Sequence, residues 1–124
     1  MAQRIQLRRA AGWRKPKDAV VVARPSRWGN PFRLVPASSR QDGPLDMWAV
    51  VYDGQTLGRF DDRHDAATDA VDRYRLWIVE QGLEAAIRAE LGGKDLCCWC
   101  SPDQACHARA LIEIANPSPE TEGV

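Results

Sequence analysis

The hydrophobic pattern changes period near Asp65, and this change constrains the fold more than any other feature of the chain. After Asp65 the apolar residues recur every three or four positions, as on one face of a helix. These residues are Ala67, Ala70, Val71, Tyr74, Trp77 and Ile78. Asp62 or Asp65 can cap this helix and Gly82 can end it. Two further helices are predicted over residues 83–91 and 107–115.

Strand patterns lie on both sides of the helices. Residues 4–9 alternate in polarity, and 18–24 form an apolar run that predicts a buried central strand. Asp53 and Gly54 separate two β-prone runs, which predicts a hairpin. Residues 94–100 predict one more strand. This order indicates an α/β or α+β fold: a single small domain with a mixed β-sheet of about four to five strands covered by about three helices.

The length and composition agree with that fold. A chain of 124 residues fits one domain, which we expect over residues 1–116, with a disordered polar tail over 117–124. Its 44% hydrophobic and 27% charged residues are ordinary for a globular protein. No membrane span and no signal peptide is recognisable, which predicts a cytoplasmic protein without membrane contact. Because cytoplasmic thiols stay reduced, a disulfide framework is not expected.

Charge is distributed unevenly along the chain. Residues 1–40 carry ten basic residues and one acid, whereas the remaining 84 residues carry seven basic and sixteen acidic ones. Trp13 and Trp28 lie among the basic residues. Basic side chains interleaved with aromatics suit phosphate contact and base stacking, so a nucleotide or nucleic acid is the expected partner. The alternative is that the two halves neutralise each other in the fold.

All four cysteines and one of the two histidines lie in the stretch LCCWCSPDQACH, residues 96–107. A helix is predicted to begin at His107, and free N–H groups at a helix start lower a thiol pKa and bind anions. If the strand over 94–100 lies beside the strand over 18–24, the loops after both would form one polar pocket. Its candidate catalytic residues are Cys106, His107 and Cys100. Its candidate ligand-binding residues are Arg24, Ser26, Arg27, Trp28, Gly29 and Asn30.

Two other interpretations of the cysteines stay open. Zinc takes four ligands, and Cys98, Cys100, Cys106 and His107 supply that number, although their spacing differs from the usual knuckle. Buried packing is the other alternative, since free cysteine is among the most buried residue types. We assign Cys97 to packing because it faces away from Cys98 and Cys100, and we expect Trp99 in the core on the same face.

Two quoted motifs together resemble a known family. RPSRWGNPF (residues 24–32) and LCCWCSPDQACHARAL (residues 96–111), with the helix segment DRYRLWI between them, are similar to the signature of a domain of unknown function numbered 4326, found in bacteria and their phages. The resemblance implies a shared fold over roughly residues 4–116. It names no activity.

These features predict a domain that handles a nucleotide or a nucleic acid. Its site would be built from the 24–32 loop and the 98–107 strand-turn-helix, would need no cofactor, and could act through a thiol. The alternative is a non-catalytic, zinc-stabilised interaction module, such as a phage or host accessory protein.

Overall fold

In the described part of the chain, five short strands are followed by two helices, a sixth strand and a third helix. The computed structural model describes residues 2–24, 26–99 and 105–117, and within these ranges it contains six strands and three helices. In chain order they are β1 (Arg4–Gln6), β2 (Val20–Val21), β3 (Arg33–Ala37), β4 (Met47–Tyr52), β5 (Gln55–Phe60), α1 (Arg63–Glu80), α2 (Glu84–Leu91), β6 (Leu96–Cys98) and α3 (His107–Ala115). The tail predicted over 117–124 lies, except for residue 117, outside the described residues.

A parallel sheet has β6 in its centre. The strand order is β1-β6-β2, and the register pairs Gln6 with Cys98 and Val21 with Cys97. All of β6 is buried, whereas β2 is two residues long and lies at an edge. The prediction of a central strand over 18–24 is therefore wrong. Ala19, Val22 and Ala23 of this run are buried without central pairing, whereas Val21 is 37% exposed.

An antiparallel meander of β3, β4 and β5 forms the second sheet. The predicted hairpin is confirmed. Asp53 and Gly54 have positive φ angles of 50° and 78°, as both central residues of a type I′ turn require. Strand β3 was not predicted, because Pro36 interrupts its pattern. Proline is tolerated there because β3 is an edge strand.

The helices cover both sheets. Asp62 caps α1 by accepting a hydrogen bond from the backbone N–H of His64 at 2.8 Å, and Gly82, with φ of 66°, follows its end. Helix α1 packs on the meander and on α3, while α3 also packs on α2, β6 and β1. The largest fully buried aliphatic and aromatic side chains are Tyr74, Ile78, Ile87, Leu91, Leu96, Leu111, Val22 and Val50.

The predicted fold class is confirmed as a small mixed α/β domain with three helices in the described ranges. The strands differ in arrangement from the prediction, because they form two three-stranded sheets and not one mixed sheet. Parallel pairing is confined to β1, β6 and β2, and antiparallel pairing to the meander. Helix α3 begins and ends at the predicted residues, His107 and Ala115.

None of the helices within the described ranges is both long enough and apolar enough to span a lipid bilayer.

Candidate functional site

The carboxyl ends of two parallel strands bring the two sequence motifs together. Because β2 and β6 are parallel neighbours, the segments that follow them leave the same edge of the sheet, where open α/β sheets bind ligands. The first segment carries Arg24 and Asn30, and the second leads to Cys106 and His107 at the start of α3. The neighbouring strands on which the predicted pocket depends are therefore present.

A cavity of about 330 Å³ lies at this edge. Its wall combines apolar residues of β3, α1 and the loop before β3 with a smaller set of polar and sulfur-containing side chains and one tryptophan. That smaller set is Arg24, Asn30, Arg63, Trp99, Cys106 and His107. A mainly apolar wall with a few converging polar groups is typical of a small-molecule site.

Gly29 and Asn30 hold Arg24 in place. The Arg24 guanidinium donates from Nη1 to the backbone carbonyl of Asn30 at 3.1 Å. A Cβ atom at position 29 would lie 2.6 Å from Arg24 Cγ, so only glycine lets the arginine side chain pass this close. Arg24 itself therefore occupies the space beside the Gly29 backbone.

Asn30 is buried and its amide is engaged within the fold. Its Oδ1 accepts a hydrogen bond from the backbone N–H of Phe32 at 2.9 Å, and its Nδ2 donates to the carbonyl of Ala70 at 3.3 Å. These bonds tie the loop after β2 to helix α1. Asn30 lines the cavity, and its polar atoms position the loop.

His107 joins the start of α3 to the end of β2. Its Nε2 lies 2.7 Å from the carbonyl oxygen of Val22, and its ring meets the edge of Tyr74 with centroids 5.7 Å apart. Burial lowers the pKa of His107 from its ordinary value, against the raising effects of the Val22 hydrogen bond and of Cys98. A tautomer protonated on Nε2 donates to Val22 and leaves Nδ1 able to accept a proton.

Lowering the pH should destabilise the fold through His107. The pKa of His107 is lower in the folded chain than in the unfolded chain, so at acidic pH the unfolded chain binds the proton more readily. The free energy of unfolding therefore falls as pH drops below about 6.5. We expect His107→Gln to reduce the slope of the free energy of unfolding between about pH 7 and pH 5. His64→Gln, on the exposed first turn of α1, is the control. Equal slopes for wild type and His107→Gln would contradict this account.

Two of the cysteines form a pair beside the cavity. Cys98 Sγ lies 3.2 Å from Cys106 Sγ, and Arg4 Nη1 lies 3.6 Å from Cys98 Sγ. Cys106 is the N-cap residue of α3 and lines the cavity, whereas Cys98 is fully buried. Cys97 is also fully buried, and burial raises the pKa of its thiol. This burial agrees with assigning Cys97 to packing.

Sequence reasoning missed two residues of the cavity wall, Trp99 and Arg63. Trp99 is 47% exposed, so its predicted core position is wrong: β6 ends at Cys98, and the strand alternation does not extend to the next residue. The Arg9 guanidinium lies 5.0 Å from the Trp99 ring centroid. The Arg63 guanidinium lies 5.2 Å from the Trp48 ring centroid. Only the packing of α1 on the meander brings Arg63 here, and no local motif marks it.

Four predicted ligand-binding residues do not line the cavity: Gly29, described above, and Ser26, Arg27 and Trp28. Arg27 forms an exposed ion pair with Glu90 at 2.9 Å and stacks on Trp28, with the guanidinium 4.5 Å from the ring centroid. Trp28 is buried, and its carbonyl accepts a hydrogen bond from Tyr74 Oη at 2.6 Å. Ser26 Oγ is buried and has no hydrogen-bond partner among the described residues.

The predicted catalytic and metal residue Cys100 lies outside the described residues. Within the described ranges, no three histidine, cysteine, aspartate or glutamate side chains are arranged to hold a metal ion. Of the alternative zinc ligands, Cys98 and Cys106 are adjacent, and His107 Nε2 is engaged with Val22. Zinc binding through these residues and Cys100 stays a prediction.

The fold and the cavity define a small α/β domain with a site at the carboxyl edge of its parallel sheet. The family model described as Domain of unknown function (DUF4326) matches residues 5–117, and the chain belongs to that family. No curated protein and no solved structure matches the chain significantly.

Proposed function

We propose that the cavity binds a nucleotide, either free or as the terminal nucleotide of a nucleic acid. The observation that carries the proposal is the composition of the cavity wall, which includes Arg24, Arg63, the start of α3 and the exposed ring of Trp99. Cationic groups beside an aromatic surface match a ligand that combines a phosphate with a base.

The phosphate would be held by charge and by backbone donors. The guanidinium of Arg24 offers planar donors that suit phosphate oxygens, and Arg63 adds a second positive charge. The start of α3 carries the partial positive charge of a helix N-terminus, and its first turn, HARA, contains no acidic residue. The excess of basic residues before position 41 favours an anionic ligand in the same way.

The base would pack against Trp99 and the apolar part of the wall. Stacking of a base on an aromatic side chain contributes about 1–3 kcal/mol. The cavity volume of about 330 Å³ is near the lower end of the range of about 300–1,000 Å³ for small-molecule sites. That size favours one nucleotide over a longer stretch of strand.

The same wall carries groups capable of thiol chemistry. Cys106 lines the cavity next to His107, whose Nδ1 is the free acceptor when Nε2 donates to Val22. A thiol activated by a neighbouring base is a common nucleophile. The proposal includes a nucleophilic role for Cys106. It also includes a cytoplasmic location, since Cys97, Cys98 and Cys106 are not in disulfides and thiols stay reduced in that compartment.

Calorimetric titration of the reduced protein tests nucleotide binding. We expect a nucleoside monophosphate to bind about tenfold or more tightly than its nucleoside, because the phosphate adds charge-assisted hydrogen bonds. Affinity should fall as salt rises, since the contact is ionic. A strand with a terminal phosphate should compete, and a blocked strand should compete less. Equal affinity for nucleoside and nucleotide, or no binding of either, would contradict the proposal.

A zinc-stabilised interaction module is the second candidate. It is favoured by the 3.2 Å separation of Cys98 and Cys106, with His107 adjacent and Cys100 on the intervening segment. Elemental analysis separates the two classes. Under the nucleotide proposal, the purified chain contains well under one zinc and stays folded in a chelator. One tightly bound zinc per chain, with unfolding on chelation, would establish the module instead.

A further inference from the structure

We propose that Cys98 and Cys106 form a redox-active dithiol that hydroperoxides oxidise to a disulfide through the cavity. The inference stands apart from the identity of the cavity's ligand. The observation that carries it is the distance of 3.2 Å between the two sulfur atoms, which come from different elements eight residues apart. A disulfide needs about 2.05 Å, so the sulfurs must approach by about 1.2 Å.

The two thiols differ in access. Cys106 lines the cavity and keeps 3% of its surface exposed, whereas Cys98 is fully enclosed. A small oxidant entering the cavity therefore meets Cys106 first. Cys98 lies behind it, within reach of the oxidised sulfur. This arrangement makes Cys106 the attacking thiol and Cys98 the resolving thiol.

The surroundings of the pair favour negative charge on sulfur. Cys106 is the N-cap of α3, where the helix N-terminus carries partial positive charge. Arg4 Nη1 lies 3.6 Å from Cys98 Sγ, and either thiol can donate a hydrogen bond to the other. Cys97 lies on the same strand, is fully buried and is not among the residues that line the cavity. It serves as the internal control.

The reaction uses a hydroperoxide, ROOH, as its oxidant. The Cys106 thiolate attacks one peroxide oxygen and the O–O bond breaks. Cys106 becomes a sulfenic acid, and ROH leaves with the former thiol proton. The Cys98 sulfur then attacks the Cys106 sulfur, and the S–O bond breaks. The hydroxide takes the Cys98 proton and leaves as water. The two thiols lose two electrons, which the peroxide gains.

The new bond would join the last residue of β6 to the N-cap residue of α3 along the wall of the cavity. Cys106 would move towards Cys98 and away from the cavity space. Its thiol would then be unable to act as a nucleophile while the disulfide persists. Oxidation would therefore change the chemistry of the wall without unfolding the helices, because both ends of the bond are already neighbours.

Peptide mapping after hydrogen peroxide treatment tests the dithiol. In the full chain we expect a disulfide between Cys98 and Cys106 and the loss of two hydrogens. The Cys106 thiol should be lost about tenfold or more faster than the Cys97 thiol. Cys97→Ala and Cys100→Ser should each retain this disulfide. Cys98→Ala should instead give a sulfenic acid at Cys106, trapped by a carbon nucleophile such as dimedone.

Three outcomes would overturn the inference. One is equal, slow oxidation of Cys97, Cys98 and Cys106, which would mean that all three are inert packing. Another is a disulfide that involves Cys97 or Cys100 in place of Cys106. The third is protection of the thiols until a chelator is added, which would assign them to a metal. Differential alkylation of the wild type gives the same ranking, so the test does not depend on any variant folding.

Discussion

Replacing Arg24 by alanine should weaken nucleotide binding about 10- to 100-fold. Hydrogen bonds to charged groups contribute about 1.5–3 kcal/mol, and each 1.4 kcal/mol corresponds to about tenfold in affinity. The loss should be much smaller for the corresponding nucleoside, which lacks the phosphate. Titration calorimetry at low salt measures both ligands on the same protein. Arg24→Lys should recover part of the affinity, because it keeps the charge and loses the planar donors.

Arg27→Ala is the matched control for this prediction. Arg27 lies in the same loop and carries the same charge, but it pairs with Glu90 and stacks on Trp28 away from the cavity. We expect its replacement to change nucleotide affinity by no more than about twofold, because exposed ion pairs contribute little. Equal losses for Arg24→Ala and Arg27→Ala would indicate a diffuse electrostatic effect and refute a phosphate site at Arg24.

Elements with strong local signals were predicted from the sequence. The hairpin at Asp53-Gly54 was predicted because few residue pairs adopt two positive φ angles, and those angles are present. Helix α3 was predicted at its bounds because its apolar period is regular. The cap of α1 was narrowed to Asp62 or Asp65, and Asp62 is the one that accepts the backbone N–H of His64.

Features set by tertiary packing were not predicted correctly. The run over 18–24 is as apolar as a central strand. Apolar character, however, does not indicate whether a strand pairs on one side or on both. Strand β6 occupies the centre, and it is only three residues long. The division into two sheets depends on which edges meet, which no local pattern encodes. Strand β3 was not predicted because it contains Pro36, although an edge strand tolerates proline.

The candidate site, too, was predicted in part from the sequence. Arg24, Asn30, Cys106 and His107 were placed together from one general rule, that segments after neighbouring parallel strands share an edge. The rule predicts which loops lie close together, but it does not predict which of their side chains enter the cavity. It could not distinguish Arg24, which lines the cavity, from Arg27, which lies three residues later and pairs with Glu90. It also gave no route to Arg63, which reaches the cavity through the packing of α1.

Replacing Asn30 by aspartate should destabilise the fold by about 3 kcal/mol. A buried carboxylate oxygen would then face the carbonyl oxygen of Ala70, so that neither acceptor has a donor, and the negative charge adds to the cost. The carboxylate can still accept from the backbone N–H of Phe32. Its second oxygen, however, replaces the Nδ2 group that in the wild type donates to the carbonyl of Ala70 at 3.3 Å. The loss should shrink in acid, because a protonated carboxyl can donate to that carbonyl. Denaturant unfolding at neutral and acidic pH measures both effects.

Asn116→Asp is a close control, because Asn116 makes the same two kinds of bond at an exposed position. Its Oδ1 accepts from the backbone N–H of Gly93 at 2.8 Å, and its Nδ2 donates to the carbonyl of Ile112 at 2.9 Å. Water can solvate the carboxylate there, so we expect a loss within about 1 kcal/mol, including its repulsion by the helix C-terminus. If both variants lost the same stability, burial would not be the cause. Asn30 would then be free to serve as a ligand contact, as the sequence alone had suggested, and not as the residue that fixes the Arg24 loop to α1.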